Sequence, residues 1–130
     1  MQNKPESFWY MILYLIPIVG TIIVAVMFND EDKRLKFHKY QSFVEGIVLI
    51  VLFIIGKILS AIILGQAFSP GASFNVASSA VGLDETVSLI LGLISLLLWI
   101  YGLFVGFKAS QGSDIKMILL GDITNKIMSA

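Results

Sequence analysis

Three apolar runs, residues 8–28, 41–64 and 87–107, constrain this chain more than any other feature. Each holds about 20 residues or more, and a helix rising about 1.5 Å per residue needs about 20 to cross 30 Å of hydrocarbon. Composition points the same way: 57% of the 130 residues are hydrophobic and 14% charged, against about 25% charged in an ordinary soluble domain. The expectation is an all-α integral membrane protein. It would form one membrane domain of three transmembrane helices, followed by a short C-terminal amphipathic segment.

The first run is too long for a signal-peptide core of about 7–15 residues. Ala25-Val26-Met27 is a poor small-x-small cleavage site, so the run reads as a retained span. Phe8, Trp9 and Tyr10 stand at its start, where amphipathic rings favour the headgroup level. Pro17 removes a backbone donor and Gly20 follows within a turn, which predicts a kink.

Nine acidic and nine basic residues leave no net charge, so attraction to nucleic acid has no support. With no cysteine and one histidine, thiolate chemistry is excluded and a metal site has few ligands. No phosphate loop, dinucleotide fingerprint, nucleophile elbow, metalloprotease motif or calcium loop occurs. Asp114 and Asp122 read as tail carboxylates without a partner base. No enzyme activity, cofactor or metal is expected.

Between the first two runs lies the charged stretch 29–45, NDEDKRLKFHKYQSFVE. It carries Lys33, Arg34, Lys36 and Lys39, four of the nine Lys and Arg residues, and the lone His38. The tail after residue 107 carries Lys108, Lys116 and Lys126, the N-terminal tail only Lys4, and residues 65–86 none. The positive-inside rule then puts the hinge 29–40 and the C-terminus in the cytoplasm, with the N-terminus outside a cell membrane. Residues 65–86, rich in Gly, Ser and Ala with Pro70, read as an extracytoplasmic loop; Asp84 and Glu85 suit the start of the third helix. Ile115, Ile118, Leu119, Ile123 and Ile127 are spaced for an amphipathic segment on the membrane surface. The hinge cations also offer a site for anionic lipid headgroups.

Helix faces supply the candidate sites. Ser88, Gly92, Ser95, Trp99, Gly102 and Gly106 recur at steps of three and four, a small-residue strip of the kind through which membrane helices approach closely. Its expected partner is the second span, where Gly46, Phe53, Gly56 and Ser60 have similar spacing; self-association is the competing reading. Lys57 is an intramembrane charge near enough to the span's end to snorkel, the preferred reading over an ion-binding role.

Glu45 admits two explanations. A helix beginning at Ser42 would make Ser42-x-x-Glu45 a capping box. A helix beginning near Asp30, capped by Asn29 or Asp30, would align Arg34, His38, Gln41 and Glu45 on one polar stripe; Lys33 to Gln41 contains neither Gly nor Pro, which favours this longer helix. His38 in that stripe either titrates near neutrality or serves as an interfacial hydrogen-bonding group.

Phe37-His38-Lys39-Tyr40-Gln41, opening a long apolar helix, resembles the phenylalanine-histidine-x-x-glutamine pattern of the Tic-twenty-like small membrane proteins. Gly106-Phe107-Lys108-Ala109-Ser110-Gln111-Gly112 is similar to that family's exit from its last span, and Leu120-Gly121-Asp122-Ile123 to its closing segment. The resemblance covers about residues 10–126 and implies architecture more than activity. Relatives include magnetosome membrane proteins that affect crystal growth and, more distantly, the channel component of the chloroplast inner-envelope translocon. The family's recurrent polar positions fall at His38 and Gln41.

These readings converge on a non-enzymatic scaffold or accessory subunit whose partner is another membrane protein or a second copy. The alternative is a small oligomeric channel with Arg34, His38, Gln41 and Glu45 at a polar mouth.

Overall fold

The computed structural model describes residues 8–28 and 33–129. Among these residues five helices follow one another: α1 (Phe8–Leu15), α2 (Pro17–Met27), α3 (Lys33–Ala67), α4 (Phe74–Ser110) and α5 (Leu120–Ser129). The all-α expectation holds, with no strand among the described residues.

Two helices, α3 of 35 residues and α4 of 37, are long and apolar enough to cross a membrane. None of the most apolar stretch of α3 is buried, and 17% of that of α4. Ile50, Phe53, Ile58 and Ile62 on α3 point outward, as do Leu89, Leu93 and Leu97 on α4. Continuous apolar surface on this scale is unfavourable in water, whereas a helix with all its backbone bonds satisfied internally can present it to lipid.

The first apolar run is bent at the expected place, but more deeply than a kinked single span: it breaks into two helices. Pro17 cannot donate its missing N–H and disfavours helical geometry in the residue before it. Accordingly Ile16 sits at φ −128°, ψ 80°, and α2 starts afresh with Pro17 in its first turn. The chain bends sharply enough for α2 to pack on α1. A Cβ placed on Gly20 would lie 2.4 Å from the Ile12 carbonyl oxygen, so only glycine fits. At 8 and 11 residues, neither helix alone reaches across about 30 Å. The Trp99 indole N–H donates to the Leu15 carbonyl beside the break at 3.0 Å.

Two further expectations are corrected. Residues 65–86 are not an extended loop: α3 continues to Ala67 and α4 starts at Phe74. Only residues 68–73 turn, with Gly71 at φ +80°. Ser73 caps α4, its Oγ accepting from the Val76 N–H at 3.2 Å. Asp84 and Glu85 therefore lie inside a helix. Nor does a helix begin at Ser42, because α3 is already helical at Lys33. Instead of capping, the Ser42 hydroxyl donates to the Lys39 carbonyl at 3.0 Å and meets Thr21 Oγ1 at 2.8 Å. The caps expected at Asn29 or Asp30, and the tail holding Lys4, lie outside the described residues.

The chain divides into two compact units. The first comprises the described residues of Met1–Val48 and Leu98–Ala130. In it Tyr10, Leu13, Tyr14, Val24, Leu35, Val44, Val105, Ala109, Met117 and Leu120 form a buried core. The amphipathic α5 belongs here, with Leu120 and Thr124 turned inward and Ile123 and Ile127 exposed. The second unit, Leu49–Leu97, contains the end of α3, the turn and the start of α4.

Candidate functional site

Residues four and seven apart on a helix share a face, and α3 places Arg34, His38, Gln41 and Glu45 on one stripe within the first unit. His38, Gln41 and Glu45 are 0% exposed. Removing so many polar groups from solvent is costly unless they find partners, and three of the four do.

Gln41 is saturated. Its Nε2 donates to Tyr14 Oη at 2.8 Å and to the Ile115 carbonyl at 3.1 Å, while its Oε1 accepts from the Met117 N–H at 2.8 Å. Because Tyr14 Oη already accepts from Gln41, its own proton is directed to His38 Nδ1, 2.7 Å away. That assigns the remaining imidazole proton to Nε2, which donates to Asp114 Oδ1 at 2.8 Å. Arg34 Nε donates to the same oxygen at 2.6 Å. The arginine also donates to the Ala109 carbonyl and stacks over the Tyr10 ring at 4.5 Å. His38 lies in the charged stretch ahead of the apolar run. Its pKa is lowered: burial disfavours the imidazolium, and the Arg34 charge adds to this, outweighing the opposing hydrogen bond and charge of Asp114.

The result is a continuous chain, Gln41–Tyr14–His38–Asp114–Arg34, that ties residues 109–117 and α1 to α3. Asp114 is thus not a carboxylate without a partner base; the other tail acid, Asp122, meets Lys116 Nζ at 2.5 Å. Sequence spacing found three of the five members. Tyr14 and Asp114 were missed, although a tyrosine within an apolar run is itself a sign that its hydroxyl has a partner.

Glu45 stands apart from this chain. Its carboxyl group lies against Gly102 of α4, and both oxygens lack a hydrogen-bond partner. The four hinge cations differ in exposure. Arg34 turns to Asp114 and Lys39 is 8% exposed, which leaves Lys33 exposed and Lys36 half-buried.

The small residues also sort differently from the expected pairing of two spans. A Cβ on Gly46 would lie 2.5 Å from the Ile18 side chain, so this glycine receives α2. One on Gly106 would lie 3.0 Å from the Tyr10 carbonyl and the Tyr14 ring, so that glycine receives α1.

In the second unit, a Cβ on Gly56 would make only an ordinary contact with Leu91 at 3.5 Å, and nothing lies within 4 Å of one on Gly92. There Gly56, Ser60, Ser88, Gly92 and Ser95, with Lys57 and apolar neighbours, line a cleft of about 400 Å³. Lys57 is exposed, its ammonium 5.3 Å from the centre of the Phe53 ring, and Ser60 donates to Asp84.

No family model, curated protein or solved structure matches the chain.

Proposed function

We propose that the protein is a non-enzymatic membrane scaffold, or accessory subunit, that receives one transmembrane helix of another membrane protein in the cleft of its second unit. The observation that carries this reading is the open strip Gly56–Ser60–Ser88–Gly92–Ser95. Lipid supplies no hydrophobic drive for helix association, so a surface that lets backbones approach closely is what a partner helix needs. Serine hydroxyls on the same strip add hydrogen bonds that a lipid tail cannot return. The channel reading is less well supported, because Arg34, His38 and Gln41 are engaged in bonds within the chain.

In this arrangement α3 and α4 cross a cell membrane as a hairpin, with the basic start of α3 and the end of α4 in the cytoplasm and the turn 68–73 outside. The expected external N-terminus rests on a first run that crosses the membrane; with that run broken at Ile16 into helices of 8 and 11 residues, this reading keeps α1 and α2 together on the cytoplasmic side. The resemblance to the Tic-twenty-like proteins supports the same reading, since His38 and Gln41 then serve as the tie that anchors the bundle.

The chain has no cysteine, which makes the test direct. A photo-crosslinker on Gly92→Cys should give a single adduct with a foreign protein in native membranes. The same probe on the outward-facing Leu97→Cys should give only lipid adducts. A chain-to-chain adduct would transfer the strip to the oligomer reading, and lipid adducts alone at Gly92 would overturn the proposal.

A further inference from the structure

Glu45 is fully buried in the first unit, yet its two carboxyl oxygens have no hydrogen-bond partner. Its position is built rather than incidental. A Cβ on Gly102 would lie 2.0 Å from Oε2, so the carboxyl occupies a notch that only glycine leaves open. The groups around it provide no counter-charge. From α4 it meets Gly102; from α1, Tyr14 is within electrostatic reach. On α3, His38 is turned to Tyr14 and Asp114, and Arg34 is bound to Asp114 from the 111–119 segment. A carboxylate held there without a cation or a donor would cost several kcal/mol, more than the neutral acid, whose unpaired polar atoms carry a smaller penalty.

We propose that Glu45 is a proton-binding site, carried as the neutral acid inside the bundle and exchanging its proton with the surface through Tyr14, His38 and Asp114. The hydrogen-bond directions permit the transfer without another reagent. When the Glu45 side chain turns from Gly102 to Tyr14 Oη, its acid proton passes to that oxygen. The phenol proton then passes to His38 Nδ1, and the Nε2 proton to Asp114 Oδ1. Glu45 ends as the carboxylate, Asp114 as the acid, and the imidazole as its other neutral tautomer. Asp114, 44% exposed, completes the exchange with water. Gln41 holds the phenol in line throughout.

Infrared spectroscopy of the whole chain in lipid nanodiscs tests this. Near neutral pH the wild type should show the carbonyl stretch of a neutral carboxylic acid that shifts in D2O and is absent from Glu45→Gln. In Tyr14→Phe the band should remain but exchange more slowly by about tenfold or more, as loss of a positioned proton carrier entails. Absence of the band, or equally fast exchange in Tyr14→Phe, would overturn the proposal. Glu45→Gln, a neutral isostere, should melt within a few degrees of the wild type. A collapse of its melting temperature would mean that Glu45 is a paired carboxylate, which also overturns it. Crosslinking at Gly92 is independent of all these outcomes, so this site and the scaffold reading can fail separately.

Discussion

Gly102 and Gly92 belong to the same small-residue strip of α4, ten residues apart, and have opposite surroundings. In the first unit Gly102 receives the Glu45 carboxyl and Gly106 the backbone and ring of α1. In the second unit a side chain at Gly92 would meet open space. One stretch of the strip is consumed by the chain's own fold, and the other is presented outward. A small-xxx-small pattern says that backbones can approach closely; it does not say whether the approaching group belongs to the same chain. The distinction matters for function, because only the open stretch has the means to recognise something else.

The strongest way to break this comparison is to fill the notches of the first unit. Gly20→Ala should have the largest effect. Its Cβ would meet a backbone carbonyl at 2.4 Å, which cannot rotate away, so α1 and α2 must separate. We expect a loss of about 3 kcal/mol, the upper range for overpacking, measured by denaturant unfolding in mixed micelles. A change under about 0.5 kcal/mol would show that the bend at Ile16 does not hold α2 against α1.

Gly102→Ala should come next, at about 2 kcal/mol, because its Cβ would overlap the buried Glu45 carboxyl, a side chain that can turn away where a backbone carbonyl cannot. The pairing predicts its own rescue. Glu45→Ala removes the obstructing carboxyl, so the double variant should recover about 1 kcal/mol relative to the sum of the two single ones. Strict additivity would mean that the carboxyl does not rest on Gly102.

Much of this was legible beforehand, and what was not has identifiable physical causes. The helical class and the long apolar segments follow from run length, and the kink from Pro17. The stripe of Arg34, His38, Gln41 and Glu45 follows from helical spacing once the helix is taken to start before Arg34. The depth of the bend was not legible, because it depends on Gly20 meeting Ile12 rather than on Pro17 alone.

Residues 74–86 read as loop from composition because Ala, Ser and Gly suit loops and close-packed membrane helices alike. Ser73 was the cap that composition concealed. Tyr14 and Asp114 were missed for a different reason: they reach His38 from 24 and 76 residues away in sequence. Periodicity reports neighbours along one helix and is silent on which distant segment folds onto it.

The polar chain itself gives the next prediction. Since burial lowers the His38 pKa, the unfolded chain takes up a proton at a pH where the folded one does not. Stability from this group is therefore complete above the ordinary imidazole value of about 6.5 and declines as pH falls below it, until the folded pKa is passed. Thermal melting of the protein in nanodiscs should show a decline beginning just below that value, and His38→Gln should remove that component. An unchanged pH profile in His38→Gln would place the acid sensitivity elsewhere, in the carboxylates. Tyr14→Phe, which removes a hydroxyl that accepts from Gln41 and donates to His38, should cost about 1–2 kcal/mol at neutral pH.

The smallest expected effect is the most informative about the second unit. Gly92→Ala should lie within about 0.5 kcal/mol of the wild type or be slightly stabilising, since alanine is the better helix former and no atom stands where its Cβ would go. Placed beside Gly102→Ala, it compares the same substitution on the same helix with only the surroundings changed. If Gly92→Ala instead costs as much as Gly102→Ala in the isolated protein, the cleft is closed in solution and the second unit has no free strip to offer. If it is neutral in isolation but weakens the Gly92-region crosslink in membranes, with the probe moved to Ser95→Cys, the open stretch acts in recognition. A glycine that matters only when something else is bound belongs to the partner's interface rather than to the chain's own core.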